Sequence, residues 1–155
     1  MCRQSTMLAI ESRQIFAQIE QMVAACPRAE LNRGIASMRV PAVAADGFDM
    51  RFAVEDRHCH ITFDRWSLEF ASNDQRALDL FELALHGGVR LRIDTIDGAP
   101  WRWTLERQAD NQTWAAEQSM EVFNFRFWGT KGVTYLQNDF GFRAWSPAPR
   151  SEAAA

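Results

Sequence analysis

A chain of 155 residues, 47% apolar and 24% charged, has the size and composition of one soluble globular domain with a sizeable core. Its formal net charge of −3 provides no overall positive field for a phosphate backbone, so a nucleic-acid partner is not expected. No run of about 18 apolar residues suggests a membrane span, and Glu11 and Arg13 arrive too early for a secretory leader.

Residues 7 to 25 read as an amphipathic helix. Leu8, Ile15, Phe16, Ile19, Met22, Val23 and Cys26 recur at three-and-four spacing on one stripe, and Pro27 ends it. A second short helix, about 28 to 37, is expected to present Leu31, Ile35 and Met38. From there the pattern changes. Of six Trp, eleven Phe and one Tyr, only Phe16 precedes Phe48. The rest fall largely in short segments that alternate apolar with polar, the mark of strands with one buried face.

Arg39 to Ala44 is a possible edge strand interrupted by Pro41. Asp46-Gly47 turns into Phe48 to Glu55, and Asp56-Arg57 turns into His58 to Phe63. The alternation changes phase at Asp64-Arg65 and resumes as Trp66, Leu68 and Phe70, which requires a turn or a bulge. Ser72 with Gln75 forms a capping-box pattern and Gly87-Gly88 a stop, so a helix spans about 73–86, with Ala77, Leu78, Phe81, Ala84 and Leu85 buried. Val89 to Thr95 is the next strand. Asp97-Gly98 turns it into Trp101 to Arg107, and Asp110-Asn111 turns into Thr113 to Met120. Glu121 to Trp128 continues or joins that segment, and Gly129 to Gly132 turns into Val133 to Gln137.

The expected fold is therefore α+β. A large curved antiparallel sheet of about 7–8 strands packs on two N-terminal helices and one mid-chain helix. Residues 1–145 form a single domain and 146–155 a flexible tail.

Few residues suggest chemistry. His58 and His60 share one face of a strand, and they hold a metal only if a third ligand comes from another strand. Cys59 points the other way, with Ile61 and Phe63, as a buried and inert thiol. His86 ends the mid-chain helix, where a partly positive imidazole meets the negative end of the dipole. Lys131, the only lysine among 17 basic residues, sits in a wet turn that offers no route to a depressed pKa. Arg90, Arg92, Arg102 and Arg126 are expected to pair with carboxylates such as Asp94 and Glu106 on the outer sheet face.

Trp114, Trp128 and Trp145 fit the inward pattern poorly, and large aromatics beyond what a core absorbs line a pocket or an interface. The odd, widely spaced Cys2, Cys26 and Cys59 suit a reducing compartment, and the arginine and alanine bias suits a GC-rich bacterial genome. The sequence reading is thus a non-catalytic bacterial cytoplasmic binding domain. Its exposed aromatics take a protein partner or a second copy of the chain, and no cofactor is indicated. Two alternatives stay open: a carrier or sensor of an apolar small molecule in a cavity between sheet and helices, and an enzyme whose residues converge only in three dimensions.

Overall fold

The computed structural model describes residues 2–109, 113–122 and 128–142, with the backbone alone for 2–10. The fold is α+β, with two helices and two antiparallel sheets. Helix α1 (Cys2–Ala24) lays Ile15, Phe16, Ile19, Met22 and Val23 against the core. Strands β1 (Asn32–Arg33), β2 (Ser37–Val40), β3 (Met50–Glu55), β4 (His58–Phe63) and β5 (Trp66–Ala71) pair in chain order as the first sheet. Helix α2 (Gln75–Leu85) then leads to β6 (Val89–Ile96), β7 (Ala99–Gln108), β8 (Trp114–Glu121) and β9 (Lys131–Gln137). These pair in the order β8-β7-β6-β9.

Two expectations are corrected. The strands do not make one sheet of seven or eight. Helix α2 carries the chain into a second sheet, and β9 returns to take the edge of β6. Nor do residues 28 to 37 form a helix. Gly34 N–H bonds to Ser37 O at 2.7 Å, and Asn32–Arg33 pair with Arg39 and Met38 as a hairpin. A glycine inside so short a helix costs about 1 kcal/mol, and a helix of that length does not repay its nucleation. Ile35, expected on the buried stripe, is fully exposed.

The local chemistry explains most of the remaining elements. Three tight turns within the sheets place aspartates in the left-handed region: Asp56 (φ 50), Asp64 (φ 53) and Asp97 (φ 52), the last followed by Gly98 (φ 79). Aspartate tolerates this conformation because its short side chain bonds locally. The phase change at Asp64-Arg65 is the turn that sets Phe63 opposite Trp66. Strand β2 stops before Pro41, and β3 is reached only after a loop over 41–49. Asp49 pins that loop by accepting from Ala42 N–H at 2.9 Å and by pairing with Arg39. The Arg39 hydrogen bond, seconded by that of Ala42, holds the Asp49 carboxyl below its ordinary value.

Helix α2 starts two residues later than the Ser72 pattern implied. Asp74 is the N-cap and accepts from Arg76 N–H at 3.0 Å. At the other end Gly87 N–H bonds to Ala84 O and Gly88 N–H to Leu83 O, a Schellman closure that places Gly87 at φ 78.

One hydrophobic cluster runs from α1 through both sheets to α2. In the first sheet, Phe52, Ile61 and Leu68 lie in one inward row and Met50, Phe63 and Trp66 in the next. Phe81 of α2 meets Phe52 edge-on at 5.8 Å, while Phe63 stacks on Trp66 at 5.6 Å. From the second sheet Leu91, Trp103 and Leu105 join them. Among the described residues no helix is long and apolar enough to cross a membrane.

Asn138 ties the end of β9 to the loop before β3. Its buried amide accepts from Phe48 N–H at 2.8 Å and donates to Phe48 O at 2.9 Å, so a side chain imitates a strand partner across the interior. Asn138→Asp sets a second acceptor against Phe48 O. A loss of about 1–3 kcal/mol is expected in urea unfolding, the cost of an unmet buried polar group. A variant as stable as the parent refutes the clamp.

Candidate functional site

The outer face of the second sheet is polar and aromatic at once. Alternation sends Leu91 and Ile93 inward and Arg90, Arg92 and Asp94 outward, and the register sets Arg90 opposite Glu106 and Asp94 opposite Arg102. Arg90 Nε donates to Glu106, and Asp94 accepts from Arg92 at 3.1 Å and from Arg102 at 2.8 Å. Both carboxylates are buried despite their outward strand positions, because long arginine stems shelter them. The expected pairing of Arg90, Arg92 and Arg102 is therefore present, while Arg126 lies outside the described residues. Thr104 and Ser119 share a hydroxyl bond at 2.8 Å beside them. Every one of these charges has its counter-charge in place, and Asp94 and Glu106 are committed to arginines.

Aromatic rings roof this network. The Arg90 guanidinium lies 4.5 Å from the Trp114 ring centre and 4.2 Å from that of Tyr135, and Arg102 lies 4.6 Å from Trp101. Trp114 is thus half-buried and fixed by a cation–aromatic contact. Trp128 is different: it is 84% exposed. It sits in the turn before β9, which two bonds lock to the β6–β7 turn. Thr130 N–H donates to Asp97 Oδ1 and Asp97 N–H donates to Thr130 O, each at 2.8 Å. Gly129 permits that approach, since a Cβ there would collide with Asp97 and Ile96. Val133 and Tyr135 of β9, and Val122 just past β8, are also exposed apolar side chains. Trp145 and the tail 146–155 lie outside the described residues.

Past the far end of β9, two open pockets adjoin and share Asp46, Gln137, Asn138 and Asp139. One, of about 730 Å³, also takes in Arg28, Ala29 and Val43. The other, of about 380 Å³, reaches His86, Phe140 and Phe142. The His86 ring lies flat on Phe142, with centres 3.5 Å apart. Burial pushes its pKa below the ordinary imidazole value, against a smaller opposing pull from Glu82. The helix end therefore receives a ring that favours the neutral form, not the partly positive one expected. Desolvation outweighs the pull of Glu82.

A third pocket, of about 190 Å³, lies between α1 and the start of α2, lined mainly by polar groups such as Glu11, Gln14, Gln18 and Asn73. Cys59 reaches its floor, but burial, then Asp74 and Glu69, raise the thiol pKa. Cys26 is raised in the same way, by burial and then Glu82. Neither is a ready thiolate nucleophile at neutral pH.

His58 and His60 lie together on the outer face of the first sheet, as expected. Glu69 of the next strand stands between them, 3.1 Å from His58 Nδ1 and 3.6 Å from His60 Nδ1. Among the described residues no group of three or more His, Cys, Asp or Glu is arranged to hold a metal ion. The sequence reading missed Asn138, Asp139 and the pockets around them. Their only signal was a lone Asn-Asp pair after a strand, which reads as turn chemistry.

Comparison with protein-family models, with curated proteins and with solved structures finds no match to this chain.

The His86 environment has a pH signature. A lowered pKa means that the unfolded chain binds the proton first, so this stabilisation is complete above the ordinary imidazole value of about 6.5 and fades as pH falls through the lowered one. The melting temperature of the parent should drop relative to that of His86→Phe on acidification below about 6.5. Parallel curves for the two proteins rule out a buried neutral imidazole.

Proposed function

We propose that this chain is a non-catalytic binding domain that recognises protein through the second sheet, on the side and edge that carry Trp128 and Tyr135. The observation that carries the reading is Trp128, a tryptophan left 84% exposed on a turn that the fold holds rigid. An indole in water on a preorganised support loses little entropy on docking, and tryptophan and tyrosine anchor interfaces more often than most residues. Val133 and Tyr135, 46% and 44% exposed, add apolar surface on the strand that follows it. The cation–aromatic roof over Arg90 supplies a polar, prearranged surround of the kind interfaces use. Buried free thiols at Cys26 and Cys59 suit a reducing, cytoplasmic setting in a bacterial host.

The apolar-carrier reading has less behind it. Phe52, Phe63, Trp66 and Phe81 fill the interior between helices and first sheet. The pocket of about 190 Å³ left there is polar-lined and falls below the roughly 300–1,000 Å³ of typical ligand sites. The enzymatic reading has less again, since the buried carboxylates are spent on arginines and the buried thiols are held protonated.

The test compares the parent with Trp128→Ala/Tyr135→Ser by sedimentation velocity and by affinity capture from lysate. The parent should associate, with itself or with a captured protein, and the double variant should lose at least about tenfold in affinity at unchanged circular dichroism. Absence of any association, or association indifferent to both substitutions, overturns the proposal.

A further inference from the structure

Among the described residues, strand β9 is the unguarded edge. Exposed edges are normally blunted by shortness, charge, bulges or cover. Strand β1 has two residues. Strand β5 packs against β7 and β8. Strand β8 carries Glu117 and Glu121, and its ladder to β7 is broken by a register shift. Strand β9 runs seven residues in unbroken register with β6, and its one charge, Lys131, stands at its start. Among the described residues no strand pairs with its other side.

Two bonds reveal which of its groups face outward. Thr130 O points to the β6 side, where it accepts from Asp97 N–H, and Gln137 N–H points away from it, to Asp46 O. Alternation then turns the even residues toward β6 and leaves the N–H and C=O of Lys131, Val133 and Tyr135 facing out. Gln137 is already occupied by Asp46, so these three residues form the free edge.

That edge is self-complementary. With Val133 on a two-fold axis, Val133 meets its own copy and Lys131 meets Tyr135, so every outward N–H and C=O of the three residues finds a partner. The side chains match too, as a β-branched pair flanked by ammonium-on-aromatic pairs. The same register carries position 128 to the level of position 138. Trp128 stands before the strand and the open pocket of about 730 Å³ at Asn138 stands after it, equidistant from Val133. A knob and a hollow placed symmetrically about one residue suit a two-fold pair of identical chains. In the hollow, the exposed Arg28 guanidinium, 3.6 Å from Asp139, offers a cation to the indole face.

We infer that the partner is a second copy of this chain, joined antiparallel through β9 so that the two four-stranded sheets become one, with Trp128 of each copy seated in the pocket at the end of the other's β9. This rests on the binding-domain reading and names its partner.

Val133→Pro is the discriminating variant. It removes an N–H that faces solvent in the single chain and bonds only in the pair, so the ladder to β6 survives. In sedimentation equilibrium at tens of micromolar the parent should show twice its 17.7 kDa, and Val133→Pro or Trp128→Ala should weaken the pair at least tenfold. In a Cys2→Ser background, Val133→Cys should form an intermolecular disulfide under mild oxidation, because residues directly opposite in a bonded pair lie about 5.5 Å apart. Glu117→Cys on β8 should not. This cross-link decides the matter should the proline variant fail to fold. A parent that stays at 17.7 kDa, or a pair that neither forms the Val133→Cys cross-link nor responds to the proline, overturns the inference. A monomeric parent that still captures a different protein through Trp128 overturns only self-pairing and leaves the binding-domain reading standing.

Discussion

Helix α2 is buried on more than one side, and the rest of the structure is arranged around that fact. Ala77, Leu78, Leu80, Phe81, Ala84 and Leu85 are all out of solvent, a band wider than a helix on a protein surface would show. The band meets α1, the inner face of β4 and the start of β6. Each sheet has one apolar face that cannot stay in water, and neither could be covered by α1 alone. A central rod of one large ring (Phe81), three leucines and two alanines gives both layers an apolar surface to close on. The aromatic rows of the first sheet and the leucines and Trp103 of the second then form one continuous interior.

That packing determines what the outside can be. Once the inward positions of β6 and β7 are taken by Val89, Leu91, Trp103 and Leu105, the intervening positions must face outward, and there the chain places arginines and carboxylates in register. Pairing neutralises them, and the aromatic rings laid over Arg90 and Arg102 keep the guanidiniums from moving. The result is a stiff face with little net charge, suited to holding a shape rather than moving a proton. Asn138 does similar work inside, where it satisfies both polar groups of Phe48 and ties the end of β9 to the loop before β3.

The region around β9 combines rigidity with exposure. The Trp128 turn is fastened to the β6–β7 turn at one end, and Gln137 is fastened to Asp46 at the other. Between these anchors Val133 and Tyr135 face water. Apolar groups held in place while hydrated form the arrangement that association relieves, because the ordering cost has been met within the fold.

The sequence alone determined what depends on neighbours along the chain. Period-two alternation placed Cys59, Ile61 and Phe63 inward and His58 and His60 outward, and the aspartate turns at 56, 64 and 97 and the Gly87-Gly88 stop were legible, because backbone conformation there is set by residues one to four positions away. The same spacing rules misread 28–37, where a hairpin partner at Met38 and Arg39 outbid a short helical stripe interrupted by Gly34. Tertiary structure decided the rest: that the strands divide into two sheets, that β9 inserts beside β6, that Asn138 reaches Phe48, that burial lowers the pKa of His86, and that Trp128 and the pocket at Asn138 lie beyond opposite ends of β9. Each of these joins residues far apart in the chain. Such contacts are selected by the burial of whole faces and by loop closure, quantities that no local pattern encodes.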